Sequence, residues 1–187
     1  MKKLLLLILL VLCGCSAEPD TLGVVDGVAF DKGNRNVCMA VSVWKSGETI
    51  CVRAETDSLE AAQELCAEMV SRKLFFGHER VIIISEELAR EGVWNLLMDF
   101  YLQNDKRGSE LIAITEGSAA EALSGADAED IADAIEFASK NSGYEKCTLH
   151  NFVAQMMDKG EAKVPVVRVE EAAVMVGNAV LEGGRLK

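Results

Sequence analysis

Apolar positions along this chain follow two rhythms, and the clearest change of rhythm falls between Lys73 and Ile114. Val81-Ile82-Ile83-Ile84 is a continuous β-branched run. It is too short for a typical buried helix and suits a strand covered on both faces. Ser85 can cap a helix begun by Glu86 and Glu87, whose negative charge in the first turn suits the helix dipole. Leu88, Val93, Leu96, Leu97, Phe100 and Tyr101 then recur at near-helical spacing, with Gly92 as a candidate break. Polar residues from Gln103 to Ser109 end that helix, and Leu111 to Ile114 makes a second strand. Strand, helix and strand form a crossover, which predicts two parallel strands.

The rest of the pattern predicts a mixed sheet with flanking helices. Leu22 to Asp31, Val37 to Trp44 and Thr49 to Ala54 read as strands of an antiparallel meander at one edge, with turns at Asp31-Lys32-Gly33-Asn34 and Lys45-Ser46-Gly47-Glu48. Asp57 to Arg72 reads as a helix. Asp57 and Glu60 form its capping box, and Leu59, Ala62, Leu65, Cys66, Met69 and Val70 form a stripe expected to cover Val81 to Ile84. Gly117 to Ser124, Asp127 to Lys140 and Thr148 to Lys159 predict three further helices, with Met156 and Met157 as core. Val164 to Val169 predicts a strand that its Pro165 assigns to an edge or a strand start. A last hairpin, Ala172 to Leu181, is expected to turn at Gly177. The fold class is α/β with an α+β tendency, ending in a helical C-terminal subdomain. Residues 22–187 form the domain, with 22–117 and 118–187 as possible subdomains.

The N-terminus lies outside that fold. Lys2 and Lys3 precede an apolar run, Leu4 to Leu12, about half the length a spanning helix needs. Leu12-Cys13-Gly14-Cys15 then matches a bacterial lipobox. Residues 1–14 read as a lipoprotein signal peptide, Cys15 as the diacylglyceryl attachment point, and 15–21 as a tether. Two acyl chains anchor stably where one is marginal. The formal charge is −11, and loss of Lys2 and Lys3 leaves 17 basic against 30 acidic residues, or −13. Such a body is repelled by anionic lipid, so membrane contact is expected through the lipid alone. The same sign argues against nucleic acid as a partner. Half the residues are hydrophobic, which excludes disorder.

Chemistry-bearing residues are sparse. No Cys-x-x-Cys, His-x-x-His, Gly-x-Ser-x-Gly or Gly-rich phosphate loop occurs, so neither a cofactor nor a metal is expected. A tight turn at Lys45 to Glu48 sets Cys51 against Ser42 and Cys38 against Glu55. The two sulfurs then lie about 13 Å apart along the strand, too far for a disulfide. Free, mostly buried thiols are expected at Cys38, Cys51, Cys66 and Cys147. His78 has two readings. One is a general base or metal ligand near Glu79, Glu86 or Glu87. The other, which the lack of converging partners favours, is a polar residue ordering the loop before the strand, with Gly77 allowing the backbone. Glu86, Glu87, Arg90 and Glu91 read as a solvated helix face, in which Glu86 and Arg90 form an i,i+4 pair.

The stretch FFGHERVIIISEELAREGVWNLLMDF, with Asn104-Asp105-Lys106-Arg107 after it, resembles the central block of the Ger(x)C family, the lipoprotein C subunits of spore germinant receptors. There too a Gly-His pair precedes the strand, and an acidic-basic turn ending in Arg comes after the helix. Val28 to Lys32 and Val176 to Leu181 resemble flanking family segments. Ser16 to Asp20 replaces the family's usual Trp-Asp start, and Gln103 stands where an Arg is common. The resemblance implies a non-catalytic, lipid-anchored subunit acting in germination beside integral membrane subunits, held on the outer face of the inner spore membrane. It marks Gly77, His78, Glu86, Arg90 and Arg107 as structural or partner-contact positions. The family's usual C-terminal domain is expected to be absent. Two other classes stay open from the residues: a lipid-anchored solute-binding module, and a hydrolase using His78 with acidic neighbours.

Overall fold

The computed structural model describes residues 21–45, 47–103, 107–171 and 173–187. The predicted leader at 1–14, Cys15, most of the tether, Ser46, Asp105, Lys106 and Ala172 lie outside the described residues.

The β-branched run forms β5 (Val81–Ser85), buried along its whole length. Its neighbours are β1 (Leu22–Asp31) and β6 (Leu111–Thr115), both parallel to it. Among the described residues the sheet has nine strands in the order β3-β2-β1-β5-β6-β7-β8-β9, and β4 (Lys73–Phe75) extends the β5 side of β1. β2 (Val37–Lys45) and β3 (Glu48–Thr56) make the predicted antiparallel meander, in the predicted register: Ser42 faces Cys51 and Cys38 faces Glu55. Among the described residues the four cysteines are free, three of them buried. On the other side β7 (Glu161–Glu170) runs parallel to β6, and β8 (Ala173–Glu182) and β9 (Arg185–Leu186) return antiparallel.

Helices cover both faces, which is why the central strands are apolar without alternation. Val28, Phe30, Ile82, Ile84, Ile112 and Ile114 point to the face packed by α1 (Leu59–Val70), α2 (Glu86–Glu91), α3 (Trp94–Tyr101) and α6 (Leu149–Lys159). Ala29, Val81, Ile83 and Ala113 point to the face packed by α4 (Ala119–Gly125) and α5 (Ala128–Asn141). Alanines on that second face let the helices approach closely. At Gly27 a Cβ would lie 2.7 Å from Leu123 Cδ1 and 2.9 Å from Ala128 Cβ.

Several expectations are corrected. The cap of α1 is Ser58, whose side chain accepts from Ala61 N, not Asp57, and the helix ends at Val70 because Ser71 turns left-handed at φ 54°. The stripe of α1 covers β2 and β3, not Val81 to Ile84, and Met69 faces solvent. The helix after Ser85 does break at Gly92 (φ 121°), splitting into α2 and α3. Pro165 sits in an interior strand; pairing of β7 to β6 begins only at Val166, so the missing N–H costs no ladder bond there. Gly177 lies mid-strand opposite Val166, and the chain reverses instead after Glu171 (φ 49°). Met157 is exposed while Met156 is buried. After residue 117 come three helices and also β7 to β9, which join the same sheet as the earlier strands.

Candidate functional site

The chain builds outward in both directions from β1 and β5. The crevice beyond their carboxyl ends is the place where open α/β sheets hold ligands. It is a cleft of about 530 Å³ lined by Asp31, Lys32, Arg53, Ser85, Glu86 and Ser118, among others. Asp31 is buried there and accepts from Ser118 Oγ at 2.9 Å, Ala119 N at 2.6 Å and Ala120 N at 3.1 Å. Its carboxylate therefore satisfies the first N–H groups of α4 from within the chain. Ser85 accepts from Leu88 N at 3.4 Å and Lys32 N at 3.3 Å, tying the end of β1 to the start of α2. Lys32 Nζ meets Glu91 at 2.7 Å and Glu87 at 3.0 Å, and these two carboxylates, Glu91 foremost, raise its pKa. Arg90 pairs with Glu86. Arg53 donates to Cys38 Sγ at 3.0 Å, which raises the guanidinium pKa. Lys32 and Arg90 of this crevice are thus paired with its carboxylates, Asp31 and Arg53 are met by neutral groups of the chain, and its two serine hydroxyls act as helix caps.

A second cleft, of about 430 Å³, opens at the other end of β5, lined by Val24, Asp26, Trp44, Thr49, His78, Arg80, Asp127, Ala128 and Glu129. β1 carries a bulge between Val25 and Gly27. Bulges re-aim side chains, and this one places Asp26 in the cleft, while the Asp26 carbonyl accepts Arg80 N at 2.7 Å. Burial, with repulsion from Asp127 and Glu129, raises the Asp26 carboxyl pKa; His78 opposes the rise. Arg80 bridges Glu129 at 3.3 Å and Asp133 at 3.2 Å.

The predicted positions therefore fall in three places. Gly77 and His78 precede β5; a Cβ on Gly77 would lie 2.6 Å from Phe75 Cζ, and the exposed His78 ring lies tilted against the same Phe75, with centroids 5.8 Å apart. Glu86 and Arg90 stand past the far end of β5, so they cannot converge with His78. Arg107 is exposed before β6, its N–H donating to Glu110 Oε1 at 3.2 Å. His150, the other histidine, is hydrogen-bonded through Nδ1 to Tyr101 at 3.0 Å. Asp31 and Asp26 are not marked as site residues by the sequence. The one is signalled only as a strand end before a turn, the other only by a neighbouring glycine. Among the described residues no His, Cys, Asp and Glu group is arranged to hold a metal, and no helix is long and apolar enough to cross a membrane.

No curated protein and no solved structure gives a significant match to the chain. The model of the spore germination protein N-terminal domain matches residues 16–169, well over half of the sequence, and the chain accordingly belongs to the Ger(x)C family of spore germination proteins.

Proposed function

We propose that this germination protein is a lipid-anchored, non-catalytic subunit of a germinant receptor. It stands on the outer face of the inner spore membrane and touches integral membrane subunits. The observation that carries the reading is where the family match begins: Ser16, the residue after the predicted lipid-bearing Cys15. The two clefts support it. In the first, Lys32, Arg53 and Arg90 are each held by an acceptor of the same chain; in the second, His78 shares an open cleft with Asp26, Asp127 and Glu129, and Arg80 is held by Glu129 and Asp133. Residues 1–14 act as the leader, 15–21 as the tether, and 22–187 as the family domain.

The test is Cys15→Ala in the native host. Labelled palmitate should no longer enter the protein, the protein should leave the spore membrane fraction, and germination should slow. Unchanged labelling or membrane recovery in that variant would overturn the anchor.

A further inference from the structure

The tether enters the domain at Leu22, at the end of the sheet that carries His78. Across that end, Trp44, Val24 and Phe75 lie opposite one another on β2, β1 and β4, and Leu22 faces Lys73. Residues in register point to one face, so Trp44, Phe75 and Lys73 form a single row beside the entry point. Trp44 is 53% and Phe75 36% exposed. Lys45, next to Trp44 on β2, points to the opposite face at the same end of the sheet, and Arg72 directly precedes β4. Lys45 Nζ donates to Val70 O at 2.9 Å and Arg72 to Leu22 O at 3.2 Å. Carbonyls orient these cations without neutralising them. Among the described residues no carboxylate ion-pairs with Lys45, Arg72 or Lys73. The basic Lys45, Arg72 and Lys73, with Leu22, line one shallow surface depression, and Glu68 is its only acid. Glu48 lies opposite Lys45 on β3, and Asp26, Asp127 and Glu129 line the cleft that Trp44 also lines.

We infer that this end of the domain docks on the anionic lipid surface, with Trp44 and Phe75 at the headgroup level and Lys45, Arg72 and Lys73 against the lipid charge. The inference rests on the acyl anchor at Cys15 proposed above. Seven peptide units separate Cys15 from Leu22, a reach of at most about 25 Å, so the entry point cannot stray far from the bilayer. The net charge of −11 describes the whole chain. Attraction to a surface falls off within a Debye length, so the nearest charges decide contact. Exposed aromatics and basic residues gathered at one end of a domain are the composition that settles at a membrane interface. The orientation leaves the Asp31 crevice, at the opposite end of β1 and β5, facing away from the lipid.

The acylated full chain is floated with vesicles of phosphatidylcholine and phosphatidylglycerol, plain or brominated near the headgroup, and tryptophan emission is read. Bromine should quench the wild type. The quenched component should vanish in Trp44→Phe, since Trp94 packs against Phe152 on α6. Lys73→Glu, which breaks no ion pair among the described residues, should weaken docking at least about fivefold, the attraction of one basic residue to such a surface, while flotation persists. Flotation with equal emission in plain and brominated vesicles would overturn the orientation and leave the anchor standing. Failure to float would overturn the anchor and the orientation together.

Discussion

Asp31 and Ala119 are 88 residues apart, yet the Asp31 carboxylate accepts the Ala119 N–H at 2.6 Å. The same carboxylate takes Ser118 Oγ and Ala120 N, so one side chain fixes the start of α4 against the end of β1. Asp31→Ala leaves buried donors without an acceptor. The expected loss is about 3 kcal/mol, in the range for hydrogen bonds to a charged group plus desolvation of the orphaned donors. Urea unfolding should show a lower midpoint with an unchanged slope. Asp31→Asn, which keeps one acceptor, should lose less.

Gly27 tests the packing of the opposite helix layer. Its φ is ordinary, so an alanine there meets no backbone objection, only Leu123 and Ala128 at under 3 Å. Gly27→Ala should therefore destabilise by about 1–3 kcal/mol through overpacking. Gly27→Ala combined with Leu123→Ala should recover part of that loss if the clash is the cause, measured by the same urea titration as a double-mutant cycle.

Acid dependence should single out Asp26. Its carboxyl pKa lies above the ordinary value of 3.8 because burial and the neighbouring Asp127 and Glu129 disfavour its charge. The folded state thus holds this proton more tightly than the unfolded chain does. The stability contributed is complete below the ordinary value and is lost as pH rises through the folded value. Asp26→Asn should raise the unfolding midpoint at pH 7 and make no difference at pH near 3. A gain that persists at low pH would assign the effect to packing instead of charge.

Thiol reactivity should divide the described cysteines. Burial pushes the thiol of Cys66 up to about 11 and that of Cys147 up to about 12, and Cys38 is buried as well. The thiolate is the reactive form. In the folded protein an aromatic disulfide reagent at mildly alkaline pH should therefore label Cys51 fast. The other three should react only at the rate of unfolding, which peptide mapping after timed quenching would resolve.

Local signals for strands and helices proved sound, those for one cap and one turn pointed to the wrong residue, and distant ones were silent. Val81 to Ile84 announced a doubly covered strand because β-branched side chains without alternation have few other uses. The turn at Lys45 to Glu48 fixed the facing of Cys51 and Ser42 because hairpin register is set by the turn. Asp57 and Ser58 are both good caps, and pattern does not choose between neighbours that offer the same oxygen. Gly177 misled because glycine suggests a turn, whereas the actual reversal uses Glu171 in a left-handed conformation that its side chain does not advertise. The stripe of α1 required a sheet but carried no information on which strands. Nothing near Asp31 hints at Ala119. The crevice was legible only in Glu86 and Arg90, and its buried carboxylate came from tertiary structure.

The break at Gly92 also bears on how the chain closes. The freed N–H of Val93 is taken by the carbonyl of Gly184, at 2.8 Å, in the turn between β8 and β9. A polypeptide emerging from its N-terminus offers that amide no such acceptor until some ninety more residues have been added. The kinked crossover is therefore clasped late, and a half-synthesised chain lacks the latch that would hold its first layer shut.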